Sequence, residues 1–150
     1  MTHEEKAIQA FEHGANCAQA VVVAYAADLG ISESTALKLA SSFGGGIGRL
    51  REVCGAVSGM MMVYGLLRGY DDLNDPDVKK AHYANVQALA AKYREQNGSI
   101  ICRELLSLHK NENNDPTPTP RDAKFYHARP CKGFVASAVQ ILDDALKEQS

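Results

Sequence analysis

Four cysteines, Cys17, Cys54, Cys102 and Cys131, are the residues of this chain best suited to chemistry, and each falls where the sequence starts a helix. Cys17 follows Asn16, a good N-cap, and opens the apolar run Ala18 to Leu29. Cys54 follows a glycine-rich stretch and leads into the apolar run that ends at Leu67. Cys102 comes three residues after Ser99 in Asn97-Gly98-Ser99, and Cys131 follows Pro130, a residue favoured at the first helical position. A helix N-terminus carries unsatisfied N–H groups and a partial positive charge, so a thiol there is expected to have a lowered pKa and more thiolate character. Thiolates attack disulfides and bind metals. Cations recur beside these thiols: Arg49 and Arg51 before Cys54, Arg103 after Cys102, Arg129 and Lys132 around Cys131. A nearby cation favours the ionised thiol. Taken singly each of these residues reads as solvated surface, and only their recurrence beside three cysteines gives them weight.

The elements that must position the thiols read as helices throughout. Thr2 starts a short helix to about His13, broken by Gly14; the Cys17 helix ends at Gly30; Ser32 and Thr35 begin a segment through Phe43. The stretch Gly44-Gly45-Gly46-Ile47-Gly48 then reads as a turn between helices, lacking both the Lys-Ser/Thr ending of a Walker loop and the preceding strand of a dinucleotide fingerprint. Further helices are expected from about Cys54 to Arg68, from Asp77 to about Gln96 behind Asp75-Pro76, from Ser99 to Leu108, and from Pro130 to near Lys147. Lys110 to Arg129 is polar and carries Asp115-Pro116-Thr117-Pro118-Thr119-Pro120, which reads as an extended loop. No alternating strand pattern and no fixed-period repeat appears. The expected class is all-α, one domain of about six or seven helices. In an antiparallel bundle every second helix starts at the same end, so the Cys17, Cys54 and Cys102 helices, each separated by one return helix, are expected to share an end. The long loop brings the Cys131 helix there too.

At 150 residues the chain is long enough to bury a core without disulfide staples. Its net charge of −2 is spread over both signs, which leaves no basic footprint for nucleic acid. Met1 to Glu12 has acidic residues and no apolar stretch of a secretory signal, so a cytoplasmic protein is expected. In that reducing compartment, scattered cysteines are more often catalytic or metal-binding than bridged. The apolar helix after Val53 is shorter than the roughly 18 to 20 residues of a membrane span and is expected to be the central core helix.

The motifs Gly14-x-Asn16-Cys17-Ala18-Gln19-Ala20, Phe43-Gly44-Gly45-Gly46-Ile47-Gly48, Cys54-Gly55-Ala56-Val57-Ser58-Gly59, Cys102-Arg103-Glu104-Leu105-Leu106 and Cys131 ahead of an amphipathic helix resemble, in this order, the C_GCAxxG_C_C family of proteins with a proposed redox role. The family label spells its central motif Gly-Cys-Ala, where this chain reads Cys54-Gly55-Ala56. The resemblance spans nearly the whole chain and implies a small cytoplasmic protein defined by Cys17, Cys54, Cys102 and Cys131, with no settled substrate. The family is also similar to the non-haem part of split-Soret cytochromes, a relation that suggests an iron–sulfur cluster. The chain has no Cys-x-x-Cys-His, so no covalent haem is expected.

Two chemistries fit four thiolates. They can ligate an iron–sulfur cluster, most simply [2Fe–2S], as an electron carrier; helix N-termini suit an anionic cluster, and the Gly44 to Gly48 loop can add N–H groups. Alternatively, cysteine pairs cycle between dithiol and disulfide, moving two electrons without metal. Tetrahedral zinc is disfavoured because each ligand would come from a different helix rather than from a short Cys-x-x-Cys. Four small buried hydrophobes in a metal-free structural or interaction protein form the bland alternative. Enzyme and carrier readings both stay open. The partner would be an unidentified electron donor or acceptor protein, and the charged helix from Asp77 to Gln96 either supports a homodimer or is an ordinary solvated face.

His13 and His127 each lie four residues before a cysteine, which makes them candidates for a substitute ligand or proton relay, although a surface histidine is the commoner case. Phe125 and Tyr126 either cover the site or only dock the loop. Met60, Met61 and Met62 read as core, and Gly55 and Gly59, four apart on one helix face, as a close-packing feature.

Overall fold

The computed structural model describes residues 1–106, 116–117 and 131–148. Among these lie eight α-helices and no strand: α1 His3–Glu12, α2 Cys17–Ala24, α3 Ala26–Leu29, α4 Glu33–Ala40, α5 Gly55–Arg68, α6 Pro76–Asn97, α7 Cys102–Leu105 and α8 Cys131–Glu148. The all-α expectation holds. No helix among the described residues is long and apolar enough to cross a membrane.

Local capping sets most of the starts. Thr2 accepts from the Glu5 N–H, Ser32 from that of Thr35, and Asp75 from those of Asp77 and Val78 ahead of the Pro76 start. Asn16 and Gln19 form a full capping box, so two orphan N–H groups at the start of α2 are satisfied reciprocally. Gly30 and Gly98 end α3 and α6 in the left-handed conformation.

α2 is the hub. Its Ala18, Ala20, Val21, Val22 and Ala24 are all buried, and α1, α4, α5 and α8 pack around it. Small residues let α5 approach closely: a Cβ on Gly59 would lie 2.9 Å from the Ala18 carbonyl oxygen, and one on Gly55 3.1 Å from the Ala18 nitrogen. The sequence places one helix from Cys17 to Leu29, but the structure breaks it at Tyr25 (φ −105°, ψ 6°). Tyr25 is fully buried, donates to Asp143 of α8 at 2.6 Å and stacks on the His3 ring. This tertiary anchor accompanies the break, and no local residue announces it.

The glycine-rich stretch is more than a turn. Gly45, Gly46, Ile47, Gly48 and Arg49 all have φ between 55° and 71°, and Arg51 follows at 64°, so the chain runs through a left-handed coil. Its N–H groups reach far back, Gly48 to Ser42 O at 2.9 Å, Arg51 to Gly45 O at 3.1 Å and Glu52 to Gly46 O at 2.9 Å. Glycine enters this region freely, whereas a side chain there costs about 1–2 kcal/mol. Ile47 bears that cost with 38% of its surface exposed, so more than half of the residue is still removed from water. Ile47→Gly relieves the strain but gives up about 1–2 kcal/mol of burial and adds the unfolded-state entropy of glycine, so stability is expected to fall by about 1 kcal/mol, as a lower midpoint in urea. A higher midpoint would show that the backbone strain outweighs the burial.

Candidate functional site

All four cysteines stand at helix starts and line one cavity of about 390 Å³, together with Arg49, Arg51 and the glycines of the left-handed coil. The convergence expected from alternating helices is thus present among the described residues. Cys17, Cys102 and Cys131 are the first residues of α2, α7 and α8, while Cys54 is one step earlier than expected, as the N-cap of α5.

A short antiparallel pairing clamps two of them. The segments 51–54 and 100–103 run antiparallel around a single bridge between Val53 and Ile101. Cys54 N–H donates to Ile100 O at 2.8 Å and Cys102 N–H to Glu52 O at 2.6 Å. The left-handed coil delivers the chain into this clamp, and there Gly46 touches Cys102 so closely that an added Cβ would sit 2.7 Å from the Cys102 Cβ. Gly44 does the same for Cys17's cap, since a Cβ there would lie 2.4 Å from the Asn16 side chain. Asn16 in turn donates to Ser41 O at 3.2 Å, which ties α2 to the segment leading into the coil.

The electrostatics overturn one expectation. Thiols at helix starts were expected to ionise easily, yet the Cys17 thiol is held well above its ordinary 9.0, and Cys54 is pushed up to about 11. For Cys54 burial is the largest cause; the Tyr93 hydroxyl and the N–H groups of Ala56 and Val57 pull the other way and lose. The helix end does favour the thiolate, then, but less than water would. For Cys17 the first cause is a hydrogen bond with the Cys131 thiol, followed by burial and by repulsion from Cys131, Cys54 and Cys102. Cys17 faces the cavity and so keeps some exposure, while protein surrounds it on every other side and leaves its charge poorly solvated.

Of the expected cations, Arg51 alone is both buried and bonded to a thiol in the described residues: it is 5% exposed and its Nη1 donates to Cys102 Sγ at 3.8 Å. Arg103 pairs instead with Glu52 at 2.9 Å, and Lys132 with Glu12 at 2.6 Å, both on the surface. His13 is exposed, bonded to Gln9 O at 2.7 Å, and does not line the cavity. His127, Phe125, Tyr126, Arg129 and Pro130 lie outside the described residues. Met60 is core as expected; Met61 and Met62 are half-buried beside it and away from the thiols.

Sequence reasoning missed Tyr93. It is fully buried near the end of α6, with its hydroxyl 3.4 Å from Cys54 Sγ. The signal was the spacing Val86, Leu89, Tyr93, one turn apart on a helix that otherwise reads as charged.

No group of three or more His, Cys, Asp or Glu side chains among the described residues is placed to hold a metal ion. A lone tetrahedral ion needs four sulfurs about 2.3 Å from one point. The four thiols line the cavity from four helix starts, with Cys17 and Cys131 hydrogen-bonded to each other.

Searches of curated proteins and of solved structures return no match. A family model described as "Putative redox-active protein (C_GCAxxG_C_C)" matches residues 15–145, a span that holds all four cysteines, and the chain belongs to that family.

Proposed function

We propose that this chain is an electron carrier whose Cys17, Cys54, Cys102 and Cys131 ligate an iron–sulfur cluster, most simply [2Fe–2S]. The observation that carries the reading is the placement of four thiols, each from a different helix start, around one cavity of about 390 Å³. Such a cluster would supply a one-electron couple. Around it the chain would supply charge compensation: Arg51 donates to the Cys102 sulfur, and the Ala56 and Val57 N–H groups at the start of α5 favour the ionised Cys54 sulfur. The raised thiol pKa values count against free nucleophilic catalysis. With Cys54 at about 11, the unligated thiol is almost wholly protonated at neutral pH, whereas a metal displaces that proton outright.

A second reading rests on Cys17 and Cys131, whose thiols are hydrogen-bonded to one another. From that contact two thiols can close to a disulfide, losing two protons and passing two electrons to the disulfide of an oxidised partner, which is reduced to its dithiol.

Anaerobic purification with a visible spectrum and iron, sulfide and zinc analysis separates the two. The cluster reading expects broad visible absorption with iron and acid-labile sulfide, all lost together in Cys54→Ser. A colourless, metal-free protein whose thiol count falls in pairs on mild oxidation sinks it in favour of the disulfide couple.

A further inference from the structure

A hydroxyl buried without water must find a partner in the protein, and a thiolate accepts hydrogen bonds but cannot donate them. Tyr93 brings these two requirements together. Its ring is sealed in the core, tilted at 55° against Phe134, with no surface exposed. Its hydroxyl reaches Cys54 Sγ at 3.4 Å. The position is fixed from below as well: Asn97, one turn on, donates to the Tyr93 carbonyl at 3.1 Å and to Ser137 of α8 at 2.9 Å, which pins the end of α6 against α8.

We infer that Tyr93 is a positioning residue of the redox site, donating its O–H to the Cys54 sulfur and thereby favouring the more negatively charged, reduced form. This rests on the cluster reading above. With Cys54 neutral either atom can donate; once Cys54 is a ligand its sulfur has no proton, and only Tyr93 can. The bond strengthens as charge accumulates on the sulfur, because hydrogen bonds to charged acceptors are roughly twice as strong as neutral ones. The step concerned is a single electron added to the site by a one-electron reductant, which is itself oxidised by one electron. The phenol proton stays on Tyr93, and no bond between heavy atoms is made or broken.

Tyr93→Phe removes the hydroxyl and keeps the ring that packs on Phe134. Losing a hydrogen bond to a charged acceptor is expected to lower the ratio of reduced to oxidised protein about tenfold at a fixed applied potential, a drop of about 59 mV for a one-electron couple. The measurement is a spectroelectrochemical titration of the anaerobically purified protein, with iron and sulfide assayed on the same samples. Leu89→Val serves as the packing control: Leu89 is buried one turn before Tyr93 on α6 and does not line the cavity, so the change loosens the same helix and leaves the O–H in place, and its potential is expected to stay near that of the wild type. Equal potentials for wild type and Tyr93→Phe at equal iron content overturn the inference and leave the cluster reading standing, as does a Leu89→Val shift as large as that of Tyr93→Phe. Wild-type protein free of iron and sulfide overturns both.

Discussion

Gly46→Ala is expected to destabilise the protein by about 3 kcal/mol and to pull Cys102 out of register with Cys54. Two costs add. At φ 71° an alanine is strained by about 1–2 kcal/mol, and its Cβ would lie 2.7 Å from both the Cys102 Cβ and the Glu52 backbone nitrogen. Neither neighbour is the tip of a flexible side chain. Cys102 is fixed by its N–H bond to Glu52 O, and Glu52 by its own to Gly46 O, so relief must come from moving the clamp that holds the two thiols together. Gly48→Ala is the control. Its φ of 55° imposes the same class of strain, but no heavy atom lies within 4 Å of the added Cβ, so a loss of only about 1 kcal/mol is expected. The two variants are compared by urea denaturation, and the site is read by the rate at which a bulky maleimide labels Cys54 and Cys102 in the native protein. Faster labelling is expected in the Gly46 variant alone. Equal losses in both would mean that the close contact with Cys102 contributes nothing, and that the coil positions the clamp only through its backbone angles.

What the sequence shows clearly is whatever is settled locally. Asn16, Ser32 and Asp75 announce helix starts because a cap is a bond between residues three apart, and the grouping of the thiols follows once the helices alternate. The bend at Tyr25 is invisible because its partners, His3 and Asp143, are distant in the chain. The left-handed coil is only half legible: the glycines permit positive φ, but Ile47, Arg49 and Arg51 adopt it too, through long-reaching bonds that no local pattern encodes. The helix expected from Ser99 to Leu108 is described only from Cys102 to Leu105, since Cys102 and Arg103 spend their N–H groups on the segment before α5 rather than on a preceding turn. The thiol pKa values fail for a related reason. Position at a helix end can be read from spacing, but the degree to which water is excluded from that end depends on Tyr93, Phe134 and the other cysteines arriving from elsewhere in the chain.

That reversal has a measurable consequence at alkaline pH. A thiol with a lowered pKa in the fold would make the protein more stable as pH rises through the thiol range. Here the shift has the opposite sign. Between about pH 9 and pH 11 the unfolded chain releases the Cys54 proton while the folded chain keeps it, so the unfolded state binds fewer protons and stability falls with pH. The contribution is fully present below the ordinary value of 9.0 and is lost as pH rises through about 11. Two pKa units correspond to about 3 kcal/mol, of which roughly 2 are lost by about pH 10.5. Cys17 adds to the loss with the same sign. So do Tyr25 and Tyr93, whose phenols are both raised, in each case chiefly by burial. For the reduced, metal-free protein the urea midpoint is therefore expected to drop steeply between about pH 8 and about pH 10.5, and Cys54→Ala is expected to remove part of that slope. A midpoint that holds or rises over the interval would restore the low-pKa thiols expected from the helix starts and, with them, the case for a nucleophilic cysteine. Binding of the proposed cluster would add a dependence at the other end of the scale, because each ligating cysteine would have to give up its proton and acid would compete with metal for the sulfurs. Cys54, protonated at neutral pH, would release its proton on ligation. Proton release on reconstitution with iron and sulfide in weakly buffered solution is the expected result, and its absence would count against these sulfurs as ligands.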